Sequence, residues 1–277
     1  MNVLPSRAYY VPFTEKQKVG QREESERFFS LNGIWKITPY ENVLSADGFW
    51  EKDGEKEIPV PSCVQYFGYD YFQYTNYSYP FPFDPPTIPK QNPCYHYSKR
   101  ISLNLDNNEK QYLVFEGVDS CFYLYVNGNF IGFSQGSHRI SEFDVTEHLQ
   151  NGENKIDVLV LKWCFGSYLE DQDKWRFTGI FRDVYLLNRP KVHITDYKIE
   201  TKIVGEDGVI IFENRSELPV TVRVFEEEKI VKPENRYAFA VKKARLWSAE
   251  TPYLYDLEIL ANGEKIFEKV GIRTVRV

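Results

Sequence analysis

The run from Cys121 to Phe133 is CFYLYVNGNFIGF. A cysteine and five aromatic or aliphatic residues, Cys121 to Val126, are separated from a second short run, Phe130 to Phe133, by Asn127-Gly128-Asn129. Asn and Gly tolerate positive φ, so the stretch is expected to be two strands joined by a tight hairpin turn. The same grammar extends in both directions. Upstream, Tyr112 to Glu116 (YLVFE) is another short apolar run. Downstream, Asn151-Gly152 turns the chain into Lys155 to Trp163 (KIDVLVLKW), which alternates and then becomes continuously apolar. That pattern predicts a strand covered on both faces. The clearest helical signal, Gln21 to Phe29 (QREESERFF), is too short and too charged for more than a turn.

The chain is 16% aromatic, with 20 Tyr, 20 Phe and 5 Trp, a usage that favours half-buried strands and also supplies rings that stack on sugars. At 277 residues it has room for two domains. Asn188-Arg189-Pro190 closes the first, placed at residues 1–189 and expected to be an antiparallel sandwich, a jelly roll by preference. From 190 to 277 the strands are shorter and turn every 8 to 12 residues or so, which predicts an immunoglobulin-like sandwich. No βαβ alternation is present, so the chain is expected to be all-β, with neither a nucleotide-binding domain nor a barrel. Between Tyr66 and Tyr97, six prolines stand among Tyr and Phe. Prolines exclude a helix or a central strand, and the aromatics exclude a solvated linker. An ordered loop lying across another surface is expected.

A net charge of −6 gives no electrostatic footprint for nucleic acid or an anionic membrane. No apolar run reaches the roughly 20 residues of a membrane span. The N-terminus lacks an apolar signal region, and the four cysteines (Cys63, Cys94, Cys121, Cys164) are widely spaced. Reduced, mostly buried thiols in a cytoplasmic protein are expected. Four scattered histidines argue against a His/Cys zinc site.

The densest polar cluster is Glu170-Asp171-Gln172-Asp173-Lys174-Trp175-Arg176, followed by Arg182-Asp183. It admits three readings. Asp171 and Asp173 would lie about 6.5–7 Å apart on one face of a strand, between the retaining and mid-inverting carboxylate separations of a glycosidase. Acids on one short segment also grip opposite faces of a sugar poorly. Alternatively, Arg176 and Arg182 pair with Asp171 and Asp183 in a structural network. Or a carboxylate accepts sugar hydroxyls and helps to hold a cation. On the residues alone the last two stay open.

Gly132 to Pro190, with its SQGS turn, its EFD and GEN strand pair and the block SYLEDQDKWRFTGIFRDV, resembles family 2 β-galactosidases. SLNGIWKI (Ser30 to Ile37), IPVPSCVQYFGYD (Ile58 to Asp70), QYTNYSYPFPFDPPTIPKQNP (Gln73 to Pro93), LWSAETPYLYDLEIL (Leu246 to Leu260) and VGIRTVRV (Val270 to Val277) match in order. The resemblance implies the N-terminal jelly roll and first immunoglobulin-like domain of a retaining β-galactosidase acting on terminal β-galactosides such as lactose. It implies that Asn76 lies near the galactosyl group, and that Asp173 contacts galactose hydroxyls and an active-site sodium ion. Trp175, as core, and Arg176, orienting an acid, are expected to support them, with Glu170 and Asp171 behind. The family's catalytic glutamates and magnesium site belong to a (β/α)8 barrel that would begin at about Val277, so this chain alone is expected to be inactive. A homo-oligomer is implied for the parent enzyme. The competing readings are a stand-alone galactoside-binding module and a purely structural role. Val64 stands where the family often has Trp, and Asn92-Pro93-Cys94 replaces an NPxG-like turn. Glu226-Glu227-Glu228 is expected to be a solvated strand end.

Overall fold

The computed structural model describes residues 3–76, 78–170 and 173–274. Contacts divide the chain into two compact units, one of Met1–Ser6 with Phe29–Leu187 and the other of Arg7–Phe28 with Asn188–Val277. Strands dominate both, and the helical segments among the described residues are 3-10 turns of three or four residues.

In the first unit a six-stranded sheet runs Asn129–Gln135, Cys121–Val126, Gly152–Leu161, Cys94–Leu103, Gly33–Tyr40, Lys56–Val60. A four-stranded sheet runs Ser141–Asp144, Glu109–Phe115, Val184–Pro190, Phe28–Ser30. One core cluster draws Trp35, Tyr97, Phe122 and Val158 from the first sheet and Leu113, Phe115, Phe143 and Leu186 from the second, which makes the unit a β-sandwich. The alternation in Gly152–Leu161 divides cleanly. Val158 and Val160 enter that core, while Leu159 and Leu161 enter a second cluster with Phe49, Cys94 and Cys121 on the opposite face. The continuously apolar run therefore is a strand covered on both sides. The hairpin forms as its residues dictate: Asn127 and Gly128 take φ of 50° and 78°, and Val126 pairs with Asn129.

The Pro-rich loop is fastened chiefly by two aromatic residues of the polar-cluster region. The Tyr168 hydroxyl donates to the Thr87 carbonyl at 2.6 Å, and the Tyr168 ring meets Tyr79, Phe81 and Phe83 at 5.2–5.6 Å. Asn92 and Trp163 exchange two hydrogen bonds, at 2.8 and 2.9 Å. Two short antiparallel ribbons complete the unit, Gln73–Thr75 with Lys174–Arg176 and Val118–Asp119 with Gly179–Ile180.

The second unit is an immunoglobulin-like sandwich. Tyr197–Val204, Asp207–Asn214 and Arg236–Val241 form one sheet. Glu227–Val231, Val220–Val224, Tyr255–Ala261 and Glu264–Val270 form the other. Phe212, Phe239, Val222, Leu257 and Ile259 meet in the core between them. The partition departs from a boundary at 189/190, because Arg7–Phe28 belongs with this unit. Phe13–Thr14 pairs antiparallel with Lys265 and Glu264, and Tyr10 enters the core beside Tyr197. Arg189 is buried and doubly bonded to buried Glu264, with both N–H···O distances 2.8 Å. Glu226 and Glu228 are exposed, as a solvated strand end requires, while Glu227 accepts a 2.7 Å hydrogen bond from the Tyr237 hydroxyl.

Candidate functional site

The polar cluster is built from the turn after the central strand. Cys164 caps the 3-10 turn Phe165–Tyr168, and Ser167 Oγ accepts from the Cys164 amide at 3.0 Å. Glu170 follows and is tied down by Ser137, whose amide and hydroxyl donate to its two oxygens at 2.8 and 2.6 Å. The chain then enters Lys174–Arg176, which pairs with Gln73–Thr75 in the register Lys174↔Thr75, Trp175↔Tyr74, Arg176↔Gln73.

Side chains alternate across such a ribbon. Arg176, Lys174, Gln73 and Thr75 share one face, and none of them is exposed. On that face Arg176 is buried and its Nε donates to Thr75 Oγ1 at 2.9 Å, while Nη1 donates to the Glu170 carbonyl at 3.4 Å. The opposite face points to water: Trp175 is 51% exposed and Tyr74 52%. Continuing the register by one step sets Asp173 opposite Asn76 on this same outward face, and both are exposed. The Tyr74 hydroxyl donates to Asp173 Oδ1, which orients the carboxylate. That hydrogen bond to the carboxylate raises the Tyr74 pKa.

Behind the ribbon, burial pushes Asp119 up to about 7, opposed by the Lys174 ammonium and reinforced by Glu170. Burial also lowers the Arg176 guanidinium from its ordinary range, against the attraction of Asp119 and Glu170. Asp183 takes a 2.9 Å hydrogen bond from Asn32 Nδ2, and Arg182 lies 5.4 Å from the centre of the Phe181 ring.

The structure thus sets Asn76 and Asp173, from stretches almost 100 residues apart, just beyond the same end of one ribbon, whose other face buries Arg176. Asp171 lies outside the described residues, so the separation expected between it and Asp173 has no counterpart here. Trp175 corrects an expectation: it is not core but a half-exposed ring. The reason is parity, since Arg176 takes the inward position and its neighbour must face out. Tyr74, Phe72 and Phe177 escaped the sequence reading. The signal was present as two interleaved alternations, Asp173-x-Trp175-x-Phe177 and Phe72-x-Tyr74-x-Asn76. Among the described residues no group of three or more His, Cys, Asp and Glu is arranged to hold a metal ion.

Two family models match the chain. The one described as "Glycosyl hydrolases family 2, sugar binding domain" covers residues 28–190, and "Glycosyl hydrolases family 2" covers 183–273. The β-galactosidase of Staphylococcus xylosus is 40% identical over 292 residues, taking in 100% of this chain. That of Actinobacillus pleuropneumoniae is 40% identical over 293 residues, again across 100% of the chain. The chain spans 29% of the length of each of these relatives. Among solved structures, a β-glucuronidase from Ruminococcus gnavus superposes with a TM-score of 0.71 at 22% identity, over 95% of this chain and 48% of that one. A β-glucuronidase from an uncultured Clostridium sp. gives 0.69 at 24%, over 95% and 47%. These last two share the fold. With one model spanning the first sandwich and the other the second, the chain belongs to glycosyl hydrolase family 2.

Proposed function

We propose that this chain is the substrate-contacting N-terminal part of a retaining β-galactosidase, and that Asp173 and Asn76 help to form its galactosyl subsite. The observation that carries the reading is the ribbon register, whose last pair, Lys174↔Thr75, is followed on the two strands by Asp173 and Asn76, both exposed. An amide offers donor and acceptor together, and a carboxylate accepts from hydroxyls. With Tyr74 holding one oxygen of Asp173, the carboxylate is oriented before a sugar arrives. The names and 40% identity of the relatives supply the substrate class.

Hydrolysis with retention needs two carboxyl groups about 5–5.5 Å apart flanking the bond. Among the acids of the ribbon surroundings, Glu170 is committed to Ser137 and Asp119 sits behind the inner face. The resemblance to family 2 enzymes assigns the nucleophile and the acid/base to a barrel domain, for which the greater length of the relatives leaves room. A sodium ion fits here only as a shared guest. Asp173 can supply one oxygen ligand and the rest must come from elsewhere, since hard cations take several. Magnesium is assigned to the barrel. A cytoplasmic, homo-oligomeric enzyme of carbohydrate metabolism completes the proposal. No described helix is long and apolar enough to cross a membrane. A stand-alone galactoside-binding module is the second reading, favoured by the exposed rings beside Asp173.

The test is a chimera in which this chain replaces the aligned region of the Staphylococcus xylosus enzyme. It is expected to hydrolyse o-nitrophenyl β-galactoside, and Asp173→Ala to lower kcat/KM by about 100-fold, the loss of about 2–3 kcal/mol from a charged hydrogen bond. An Asp173→Ala chimera within about twofold of its parent would sink the assignment.

A further inference from the structure

Cys63 is the most exposed of the four free cysteines, while Cys94, Cys121 and Cys164 are buried. Those three share one cluster with Phe49, Leu159 and Leu161, on the face of the six-stranded sheet turned away from the main core. Strand pairing sets Cys121 opposite Leu161, and Cys164 follows three residues later. Cys164 Sγ lies 3.9 Å from the carbonyl oxygen of Ser120, the neighbour of Cys121, and the two thiols are within hydrogen-bonding reach of each other. Cys164 has a second task, as the cap of the turn Phe165–Tyr168 in a reciprocal capping box with Ser167. A Cβ on Gly166 would stand 3.4 Å from its sulfur, which is therefore held close against the turn. That turn presents Tyr168, whose hydroxyl anchors the Pro-rich loop at the Thr87 carbonyl. Packing alone accounts for buried thiols, but it leaves unexplained why one of them faces polar donors.

We propose that Cys121 and Cys164 are a reversible oxidation site, closed by hydrogen peroxide to a disulfide that takes the cap away from the Phe165–Tyr168 turn. The donors around Cys164, the Cys121 thiol first among them, lower its thiol to about 6. Burial raises Cys63 to about 11 and Cys94 to about 12. Since the thiolate is the nucleophile, Cys164 is the one armed to attack. Its sulfur takes one oxygen of the peroxide, the O–O bond breaks, and hydroxide leaves to be protonated by solvent. The sulfur of Cys121 then attacks the Cys164 sulfenic acid, the S–O bond breaks, and the Cys121 proton leaves with the hydroxyl as water. The two thiols lose two electrons and the peroxide gains them. Disulfide sulfurs stand about 2.05 Å apart, closer than any non-bonded pair, so closure draws the Cys164 sulfur toward Cys121 and off the turn. An uncharged disulfide sulfur is also a weak acceptor, so the turn and its Tyr168 anchor are held less firmly.

The folded 277-residue chain is exposed to hydrogen peroxide, then unfolded with its remaining thiols blocked by N-ethylmaleimide, and its tryptic peptides are mapped without reductant. Gln111–Arg139 joined to Trp163–Lys174 reports the disulfide. The joined pair is expected to accumulate at least about tenfold faster than oxidation of Cys63, although Cys63 is the more exposed. Dithiothreitol reverses it, and peroxide treatment in urea abolishes the preference. Cys121→Ser stops Cys164 at the sulfenic acid, which dimedone traps, while Cys164→Ser leaves Cys121 reduced. Amide hydrogen exchange at residues 165–168 is expected to quicken in the oxidised chain. Oxidation of Cys63 first, a preference that persists in urea, or absence of the joined peptides overturns the site. Exchange at 165–168 unchanged by oxidation overturns the loss of the cap. The parent chain decides both points by itself, whether or not the serine variants fold.

Discussion

Gly179 has a φ of 132°, a conformation that L side chains rarely adopt. A Cβ there would come within 2.8 Å of the Tyr97 hydroxyl and 2.9 Å of the Ser62 carbonyl. The clash and the backbone strain act together, so Gly179→Ala is expected to cost on the order of 2 kcal/mol or more. Urea unfolding measures it, and an unchanged midpoint would show that the 179–180 ribbon relaxes freely. Asp119, in the strand paired with Gly179, makes a different prediction. Burial raises its carboxyl from 3.8 to about 7 in the folded chain. The folded state then binds more protons than the unfolded one between those values. Its contribution favours folding at low pH and is lost as pH rises toward 7. Asp119→Asn should flatten this part of the profile, gaining stability at about pH 8 relative to about pH 5 compared with the parent chain. Urea midpoints at the two pH values check it.

At the scale of elements, Glu264 opens the strand Glu264–Val270 and is held fully buried by Arg189. Glu264→Gln leaves the guanidinium buried without its counter-charge, a loss expected at about 3–5 kcal/mol and readable by thermal unfolding. Elements whose cause is local were legible beforehand. Asn127-Gly128 forces the hairpin, and the alternation of Val158 and Val160 with Leu159 and Leu161 forces a doubly covered strand. The outward turn of Trp175 was not legible from composition, because a tryptophan ordinarily implies core. Its direction follows from Arg176 being drawn inward to Thr75 and Glu170, a contact between distant stretches. Asn76 and Asp173 were found through resemblance. Only the pairing of Gln73–Thr75 with Lys174–Arg176 shows why an amide and an acid so far apart in sequence lie at the same end of one ribbon.

Over the whole molecule, a net charge of −6 provides no long-range electrostatic attraction to a polyanion. Purified alone, the chain is expected to give no turnover of o-nitrophenyl β-galactoside, since both catalytic carboxyls are assigned elsewhere. Measurable hydrolysis abolished by Asp173→Ala would contradict that. The sandwich pair was visible in strand spacing, but the membership of Arg7–Phe28 was not, because nothing local announces a partner far along the chain. That membership has a temporal side. Thr14 pairs with Glu264, about 250 residues later. A ribosome adding about 5–20 residues per second needs roughly 12–50 s to bring the partner out. Phe29–Leu187, contiguous and complete much earlier, is free to fold while Phe13 and Thr14 still wait. The order of synthesis therefore makes the first-made segment of the second unit the last to find its place.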